Sequence, residues 1–321
     1  MSRNLGHTWL HIEYQKYVFL ASSLAPNSFS TYKSGLNNYL KFCSMFDVPP
    51  FPLSESVLEN FCVFLQVKVA YKSIKVYLCG VQFYSYLNGY NEEIADMERL
   101  HYVLQGIRRS QGNSRTRPLR PPVSWDMLKI ICNFISTTYS PEDSLMLRAA
   151  VLVAYFGMMR ISEYTMPSQS NFDPLLHLTV DDVTIIRARK IARIFLKKSK
   201  TDPFRKGVAI RIGVLGHNLC PVNALVRYLV VRGPKFGPLF MFHNGIFLTR
   251  LHIHDILKKS LPDVPYVNTH SFRSGGATSL ANAGVPAYAI QILGRWKSRA
   301  YATYVQYSDK YIISANRHMS K

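Results

Sequence analysis

The chain has 321 residues, and its 39 lysines and arginines outweigh its 19 aspartates and glutamates to give a formal net charge of +20. Hydrophobic residues make up 48% of the chain and aromatic residues 13%, which excludes a charged disordered protein. The excess charge favours a polyanionic partner, either a nucleic acid or an acidic membrane surface. We expect neither secretion nor membrane spanning, because no signal-peptide pattern and no long uncharged apolar run is present.

The five cysteines are widely spaced and form no paired pattern with each other or with histidines. They stand at Cys43, Cys62, Cys79, Cys132 and Cys220, mostly among apolar residues. We expect reduced core thiols, which are typical of an intracellular protein.

The clearest break in the chain is GNSRTRPLRPP at residues 112–122, whose glycine and prolines cannot continue a helix. We interpret residues 113–122 as a linker between a helical domain, residues 1–112, and a second domain, residues 123–321. In the first domain, apolar residues recur at helical spacing over 29–43 and 97–107. Two more helical stretches, 56–69 and 73–87, each open with a serine that suits a cap. These patterns predict an all-α bundle of four or five helices.

The second domain carries most of the charge. Residues 1–117 hold 12 basic and 8 acidic side chains, whereas residues 118–321 hold 27 basic and 11 acidic ones. Ser124 is expected to cap one helix, and Ser140-Pro141 to open another that runs to Met159. Three β segments follow at 178–186, 192–198 and 208–212, and helices are expected at 221–231, 249–261, 270–283, 286–293 and 298–307. The order predicts a mostly α fold with a small β-sheet.

Two short motifs each place an arginine near a terminus of a predicted helix. Arg160-x-x-Glu163 follows a long apolar run, and His270-x-x-Arg273 opens a helix. Each has an ordinary alternative, since Arg160 and Glu163 also suit a surface ion pair, and His270 and Arg273 suit a helix cap and a solvated charge. Two arginines from distant segments nevertheless fit a phosphodiester site, because a planar guanidinium grips two phosphate oxygens and stays charged.

The same domain lacks paired carboxylates around these arginines. With 11 acidic residues in residues 118–321, a two-metal phosphoryl-transfer site has few ligands to draw on. We therefore expect chemistry without a metal or another cofactor. Such chemistry needs a side-chain nucleophile and an acid for the leaving oxygen, and the predicted C-terminal helix offers Tyr301, Tyr304 and Tyr307.

The order of these motifs resembles the tyrosine recombinase, or phage-integrase, family. The resemblance covers about residues 124–307 and rests on Arg160-x-x-Glu163, Lys200 in a β-hairpin, His270-x-x-Arg273, Gly294-Arg295-Trp296 and Tyr304. It implies a helical, SAM-like core-binding domain followed by an α+β catalytic domain, together forming a C-shaped DNA clamp. The phrases SKTDPFRKG and LGRWKSRAYATY look most like the eukaryotic mobile-element branch, such as DIRS-type retrotransposons and Cryptons.

The resemblance also implies roles for the motif residues. Arg160 and Arg273 would clamp the scissile phosphate, with Glu163 supporting Arg160. His270 would assist proton transfer at the attacking hydroxyl, and Lys200 would protonate the departing 5′ oxygen. The lysines at 197 and 198 compete with Lys200 for that last role.

The resemblance assigns further roles to Trp296 and Tyr304. Trp296 stands where many family members have a second histidine, and it would donate a hydrogen bond and pack beneath the nucleophile. Tyr304, eight residues later, is the expected nucleophile. Many bacterial members place their tyrosine nine residues on, which here is Val305, so Tyr307 and then Tyr301 remain alternatives.

The implied partner is duplex DNA, bound by a homo-oligomer that is expected to be a tetramer on paired sites. Arg115, Arg117, Arg120 and Arg295 are expected to contact DNA phosphates, and the tail at 308–321 resembles a segment exchanged between subunits, although a frayed end is the alternative. In a eukaryotic host the protein would act in the nucleus. No membrane role is expected.

Two other functions share these features. A type IB topoisomerase uses related residues, but the small helical domain and the spacing from His270 to Trp296 favour a recombinase. A domesticated DNA-binding protein that has lost the chemistry would have no physical need for the complete set of motif residues, which argues against that alternative.

Overall fold

The computed structural model describes residues 8–112, 120–170, 172–200, 202 and 204–319. Its contacts divide the chain into two compact units, Met1–Arg117 and Pro118–Lys321. The structure is 59% helical with one three-stranded sheet. The predicted fold class, mostly α with a small β-sheet, is thereby confirmed. Most of the expected linker, residues 113–119, lies outside the described part of the chain.

The first unit contains five described α-helices. They are α1 (Trp9–Ser22), α2 (Pro26–Met45), α3 (Glu55–Gln66), α4 (Tyr71–Leu87) and α5 (Glu98–Gln111). The expected serine caps are wrong by a few residues. Ser54 occupies the cap position of α3 and Ala70 that of α4, and neither makes a side-chain cap hydrogen bond.

Aromatic and aliphatic side chains of α2 to α5 form the core of this unit. Tyr39 and Phe61 are fully buried, with ring centres 5.2 Å apart at an angle of 67°. Helices α2 and α4 approach so closely that a Cβ atom on Gly80 would lie 2.5 Å from the backbone oxygen of Tyr32. Glycine is therefore required at this crossing.

The second unit begins with two capped helices, α6 (Trp125–Thr138) and α7 (Pro141–Phe156). Both predicted caps are confirmed, because Ser124 accepts from the Met127 N–H at 3.2 Å and Ser140 from the Asp143 N–H at 3.2 Å. Helix α7 is the centre of the core, and every residue from Ala149 to Tyr155 is buried.

Helix α7 ends three residues before its predicted end. Met158 adopts a left-handed conformation with φ of 43°, and the Met159 N–H donates to the Ala154 carbonyl at 2.9 Å. This hydrogen bond closes the helix as a Schellman motif does. Glycine is the usual residue in that conformation, so the sequence does not signal this end. The short helix α8 (Ile161–Tyr164) follows.

The sheet is antiparallel with the order β1 (Val183–Ile186), β2 (Ile191–Leu196) and β3 (Val208–Gly213). On β2 the residues Ala192, Ile194 and Leu196 are buried, as expected for alternating side chains with one face against the core. The remaining helices are α9 (Pro221–Arg232), α10 (Arg250–Ser260), α11 (Ser271–Asn282), α12 (Ala287–Leu293) and α13 (Asp309–Met319).

The helix predicted over residues 298–307 is wrong. A 3-10 turn spans Arg299–Thr303, and irregular backbone follows. The Gln306 N–H donates to the Thr278 hydroxyl of α11 at 3.1 Å, and the Ser308 N–H donates to the Asn282 side chain at 3.1 Å. These tertiary hydrogen bonds replace the helical ones that the local sequence favours.

Two features are absent from the described residues. No helix there is long and apolar enough to cross a membrane. The same residues contain no group of three or more histidine, cysteine, aspartate or glutamate side chains placed to hold a metal ion.

Candidate active site

Arg160 is held in place by Glu163. Because α7 ends early, Arg160 lies in extended backbone that leads into α8 rather than at a helix end as predicted. Glu163 accepts from the Arg160 backbone N–H at 2.9 Å and from its guanidinium at 2.8 Å. The two side chains are 14% and 2% exposed, so this pair is not the surface ion pair considered as an alternative.

Arg273 lies in the first turn of α11 and is completely buried. Its guanidinium donates to the carbonyl oxygens of Met158 and, at 2.5 Å, of Gly294. The indole of Trp296 lies 4.2 Å from the guanidinium carbon. A Cβ atom on Gly294 would stand 1.5 Å from that indole, so glycine is required for the ring to reach Arg273.

The site holds more positive than negative charge. Within the described part of the chain, Glu163 is the one carboxylate that forms ion pairs with Arg160 and Arg295, and Arg273 has no ion pair. Burial, Arg160 and Arg295 together lower the pKa of Arg273 to about 9, which keeps it charged at neutral pH. The buried Nε atoms of Arg273 and Arg295 have no hydrogen-bond partner. Unsatisfied donors and excess positive charge suit an anionic ligand.

Tyr304 lies beside this cluster. Its ring centre is 5.3 Å from that of Trp296 and 6.0 Å from the guanidinium of Arg273. Tyr301 also contacts Trp296, at 6.4 Å between ring centres. Tyr307 is 54% exposed and stacks on Tyr311 at 4.5 Å. The three tyrosines therefore do not share one helical face, and Tyr304 is the one that contacts both Trp296 and an arginine.

His270 is half-buried at the start of α11. Its side chain makes no cap hydrogen bond, although its backbone N–H donates to Asn268 at 2.9 Å. Burial lowers the pKa of His270, and the positive charges of Arg120, Arg250, Arg273 and Arg160 lower it further. The imidazole is therefore neutral at physiological pH and able to accept a proton.

The three candidate lysines lie in different surroundings. The Lys197 ammonium pairs with the buried Asp182 at 2.6 Å, which occupies it structurally. Lys198 and Lys200 are exposed at the end of β2. Lys200 follows the buried Ser199, whose hydroxyl accepts from the Arg160 guanidinium at 3.2 Å. That hydrogen bond ties the turn that carries Lys200 to the arginine cluster.

The expected DNA contacts divide into three cases. Arg115 and Arg117 lie outside the described residues, whereas Arg120 is exposed. Arg295 is largely buried, because its side chain is 10% exposed and donates to Glu163 at 3.0 Å and to the Gly157 carbonyl at 2.9 Å. The burial arises from its backbone, which adopts a left-handed conformation with φ of 60°.

Two contributors to the site were missed by sequence reasoning. Ser199 holds Arg160, and the Met158 carbonyl accepts from Arg273. Ser199 stands in the SKTDPFRKG turn beside the expected lysine, which was the available signal. A backbone carbonyl has no sequence signal, because every residue carries one.

Comparisons with known proteins support the fold. No protein-family model and no curated protein matches the chain. Among solved structures, the XerH site-specific recombinase in its pre-cleavage complex with difH substrate is 16% identical, with a TM-score of 0.60 over 89% of this chain and 78% of that one. The Tn1549 transposon integrase in complex with transposon right end DNA is 15% identical, with a TM-score of 0.60 over 96% and 98%.

A third similar structure is the lambda integrase dimer bound to a COC′ core site, which is 12% identical with a TM-score of 0.58 over 92% of this chain and 75% of that one. The chain therefore has the fold of the tyrosine recombinases and integrases, and the resemblance found in its motifs is confirmed at this level. The eukaryotic mobile-element branch remains a prediction.

Proposed function

We propose that the protein is a site-specific DNA recombinase or integrase that cleaves and rejoins DNA through a 3′-phosphotyrosyl intermediate. The observation that carries the proposal is that Arg273 lies near enough to Arg160 for their charges to interact and also contacts the ring of Tyr304, although the three residues are far apart in sequence. Arg160 is anchored by Glu163, and Arg273 contacts both Trp296 and the ring of Tyr304. An anion-binding pair beside a hydroxyl nucleophile is the minimum that phosphodiester cleavage requires.

Charge complementarity favours the transition state of this reaction. The guanidinium groups of Arg160, Arg273 and Arg295 with the single carboxylate of Glu163 leave two positive charges uncompensated among the described residues. A phosphodiester carries one negative charge, whereas the pentavalent phosphorane carries two. The electrostatic attraction therefore grows as the transition state forms, which is the condition for catalysis.

The proton transfers follow from the side chains around the cluster. The Tyr304 oxygen attacks phosphorus and its proton passes to His270, which is neutral because burial and four arginines lower its pKa. The bond from phosphorus to the 5′ oxygen breaks, and Lys200 donates a proton to that oxygen. The products are a 3′-phosphotyrosyl bond and a free 5′ hydroxyl.

Rejoining reverses these steps with a 5′ hydroxyl from a partner strand. The phosphotyrosyl bond retains the energy of the original phosphodiester, so the reaction as written consumes no ATP. We propose duplex DNA as the substrate, which accords with the net charge of +20. Exchange between two duplexes involves four strand cleavages, one for each tyrosine, and so requires a tetramer.

Covalent capture tests this proposal. Nicked duplexes are tiled across the DNA that flanks the gene. Cleavage close to a nick releases the short strand that carries the free 5′ hydroxyl, so rejoining is prevented and the adduct accumulates. We expect a protein–DNA adduct that survives denaturation on at least one tile. Binding without any adduct would contradict the proposed chemistry and support a DNA-binding protein that performs no cleavage. Relaxation of supercoiled plasmid by isolated monomers would instead indicate a topoisomerase.

A further inference from the structure

Arg295 is a buried arginine whose hydrogen bonds are all made within the protein. One guanidinium nitrogen donates to the Gly157 carbonyl at 2.9 Å, and the other donates to the Met158 carbonyl at 3.2 Å and to Glu163 at 3.0 Å. The guanidinium nitrogen without a partner, Nε, is itself buried, so contact with a DNA phosphate would require the side chain to leave these partners. The buried carboxylate of Glu163 and the buried carbonyls of Gly157 and Met158 would then each lose a hydrogen bond, which is costly.

The partners of Arg295 are the groups that hold the two proposed clamp residues. Glu163 shares its carboxylate between Arg160 and Arg295, at 2.8 Å and 3.0 Å. The Met158 carbonyl accepts from both Arg273 and Arg295. Arg295 therefore shares one hydrogen-bond acceptor with each clamp arginine: Glu163 with Arg160, and the Met158 carbonyl with Arg273.

The backbone around Arg295 fixes this arrangement. The Arg295 N–H donates to the Ile292 carbonyl and the Trp296 N–H to the Gln291 carbonyl, both at 3.0 Å, which closes the turn after α12. The left-handed conformation of Arg295 directs its side chain toward Gly157, while Trp296 packs over Arg273. One turn thus supplies both the internal arginine and the indole.

We infer that Arg295 is a positioning residue, which sets the Glu163 carboxylate and the Met158 carbonyl so that Arg160 and Arg273 face the scissile phosphate, and that it is not itself a phosphate contact. The inference rests on the proposed function, because that proposal assigns the two clamp arginines their role. It replaces the DNA contact expected for Arg295 from the sequence.

The salt dependence of DNA binding distinguishes the two roles. Each phosphate contact contributes about 0.9 to the slope of log K against log salt concentration for duplex DNA. We expect Arg295→Met to leave the wild-type slope unchanged and Arg160→Gln to lower it by about 0.9. An equal decrease for Arg295→Met would overturn the inference. Because this measurement needs binding alone, it decides the role of Arg295 even if wild-type protein forms no adduct.

A double-mutant cycle tests whether Arg295 acts through Arg160. Displacement of a clamp by about 1 Å costs on the order of 100-fold in rate, so we expect Arg295→Met to slow adduct formation by roughly that factor. In an Arg160→Gln background the same change should have little further effect. Equal slowing in both backgrounds would show that Arg295 contributes independently of Arg160.

The matched controls address folding. Lys297→Met removes an exposed basic residue two positions away and should leave the adduct rate near that of wild type. Arg295→Lys keeps the positive charge, but its three donors lie on a single nitrogen and cannot reproduce the pattern made by two separate guanidinium nitrogens, so we expect it to be slowed nearly as much as Arg295→Met. Full activity of Arg295→Lys would indicate that charge alone matters and would contradict the positioning role. If Arg295→Met unfolds, Arg295→Lys takes its place in the salt series and in the cycle.

Discussion

The guanidinium carbon of Arg273 lies 4.2 Å from the ring centre of Trp296. The ring centre of Tyr304 lies 5.3 Å from that of the same indole. The indole is 8% exposed. One buried aromatic side chain therefore contacts both the arginine proposed to bind the phosphate and the tyrosine proposed to attack it. Packing against this indole therefore helps to position the ring of the proposed nucleophile.

Replacement of Trp296 by alanine should affect stability and chemistry together. Loss of a buried indole costs about 3–5 kcal/mol of unfolding free energy. Urea unfolding should show that decrease, whereas Trp296→Phe should retain much of the stability and part of the adduct rate, because a smaller ring still covers Arg273. Wild-type stability in Trp296→Ala would contradict the packing observed here.

The pH dependence of adduct formation should report His270. Burial and neighbouring arginines lower its pKa from 6.5, so the imidazole stays neutral at and above that pH. We expect a pH-independent rate above pH 6.5 and a decrease at lower pH as His270 is protonated. His270→Gln should slow the reaction by about 10²- to 10⁴-fold and abolish that decrease.

The same shift affects folding. Because the pKa of His270 is lower in the folded state than in the unfolded chain, the unfolded chain binds more protons below pH 6.5. The contribution to stability is therefore fully present above pH 6.5 and decreases as the pH falls through the folded-state pKa. A decrease that persists unchanged in His270→Gln would assign the titration to another group.

The role of Lys200 as the acid can be tested by changing the leaving group of the substrate. If Lys200 protonates the 5′ oxygen, Lys200→Met should slow cleavage by about 10²- to 10⁴-fold. A substrate with sulfur in place of that oxygen should restore the rate, because a thiolate leaves without protonation. Lys198→Met is the matched control, since Lys198 is equally exposed on the same turn, and it should show no such rescue. Rescue of Lys198→Met instead would move the acid to Lys198.

The tyrosine should act within its own protomer. The Tyr304 carbonyl accepts from the Thr278 hydroxyl of α11 at 3.2 Å, and that hydroxyl also accepts from the Gln306 N–H. These hydrogen bonds hold the tyrosine segment against the helix that carries Arg273. A mixture of Tyr304→Phe and Arg160→Gln proteins should therefore form adduct no faster than Arg160→Gln alone, and a faster rate in the mixture would show that the tyrosine is donated between subunits.

The sequence was sufficient to predict the elements whose causes are local. The caps at Ser124 and Ser140 and the β segment predicted at 192–198 depend on neighbouring residues, and the structure confirms both caps and places β2 at Ile191–Leu196. The motif order also indicated which side chains would be close, because the clamp arginines follow recognisable segments. Two features could not be predicted: the early end of α7, where a methionine rather than a glycine adopts the left-handed conformation, and the irregular segment after Thr303, which depends on tertiary hydrogen bonds.

The burial of Arg295 likewise could not be predicted from its local sequence. Its charge and its place beside Trp296 favour a phosphate contact, but the left-handed backbone directs it to Glu163. No local pattern distinguishes a buried arginine from an exposed one here, since the outcome depends on residues 132 positions away.

The identity of the residue bonded to DNA tests the account most directly. Wild-type protein, Tyr304→Phe, Tyr307→Phe and Tyr301→Phe are each incubated with the nicked duplex that gives the wild-type adduct, and the modified peptide is identified by mass spectrometry. We predict adducts in wild type, Tyr307→Phe and Tyr301→Phe, all on Tyr304, and none in Tyr304→Phe despite unchanged DNA binding. An adduct in Tyr304→Phe, or a modified peptide that contains Tyr307 or Tyr301 as the bonded residue, would contradict the proposed site.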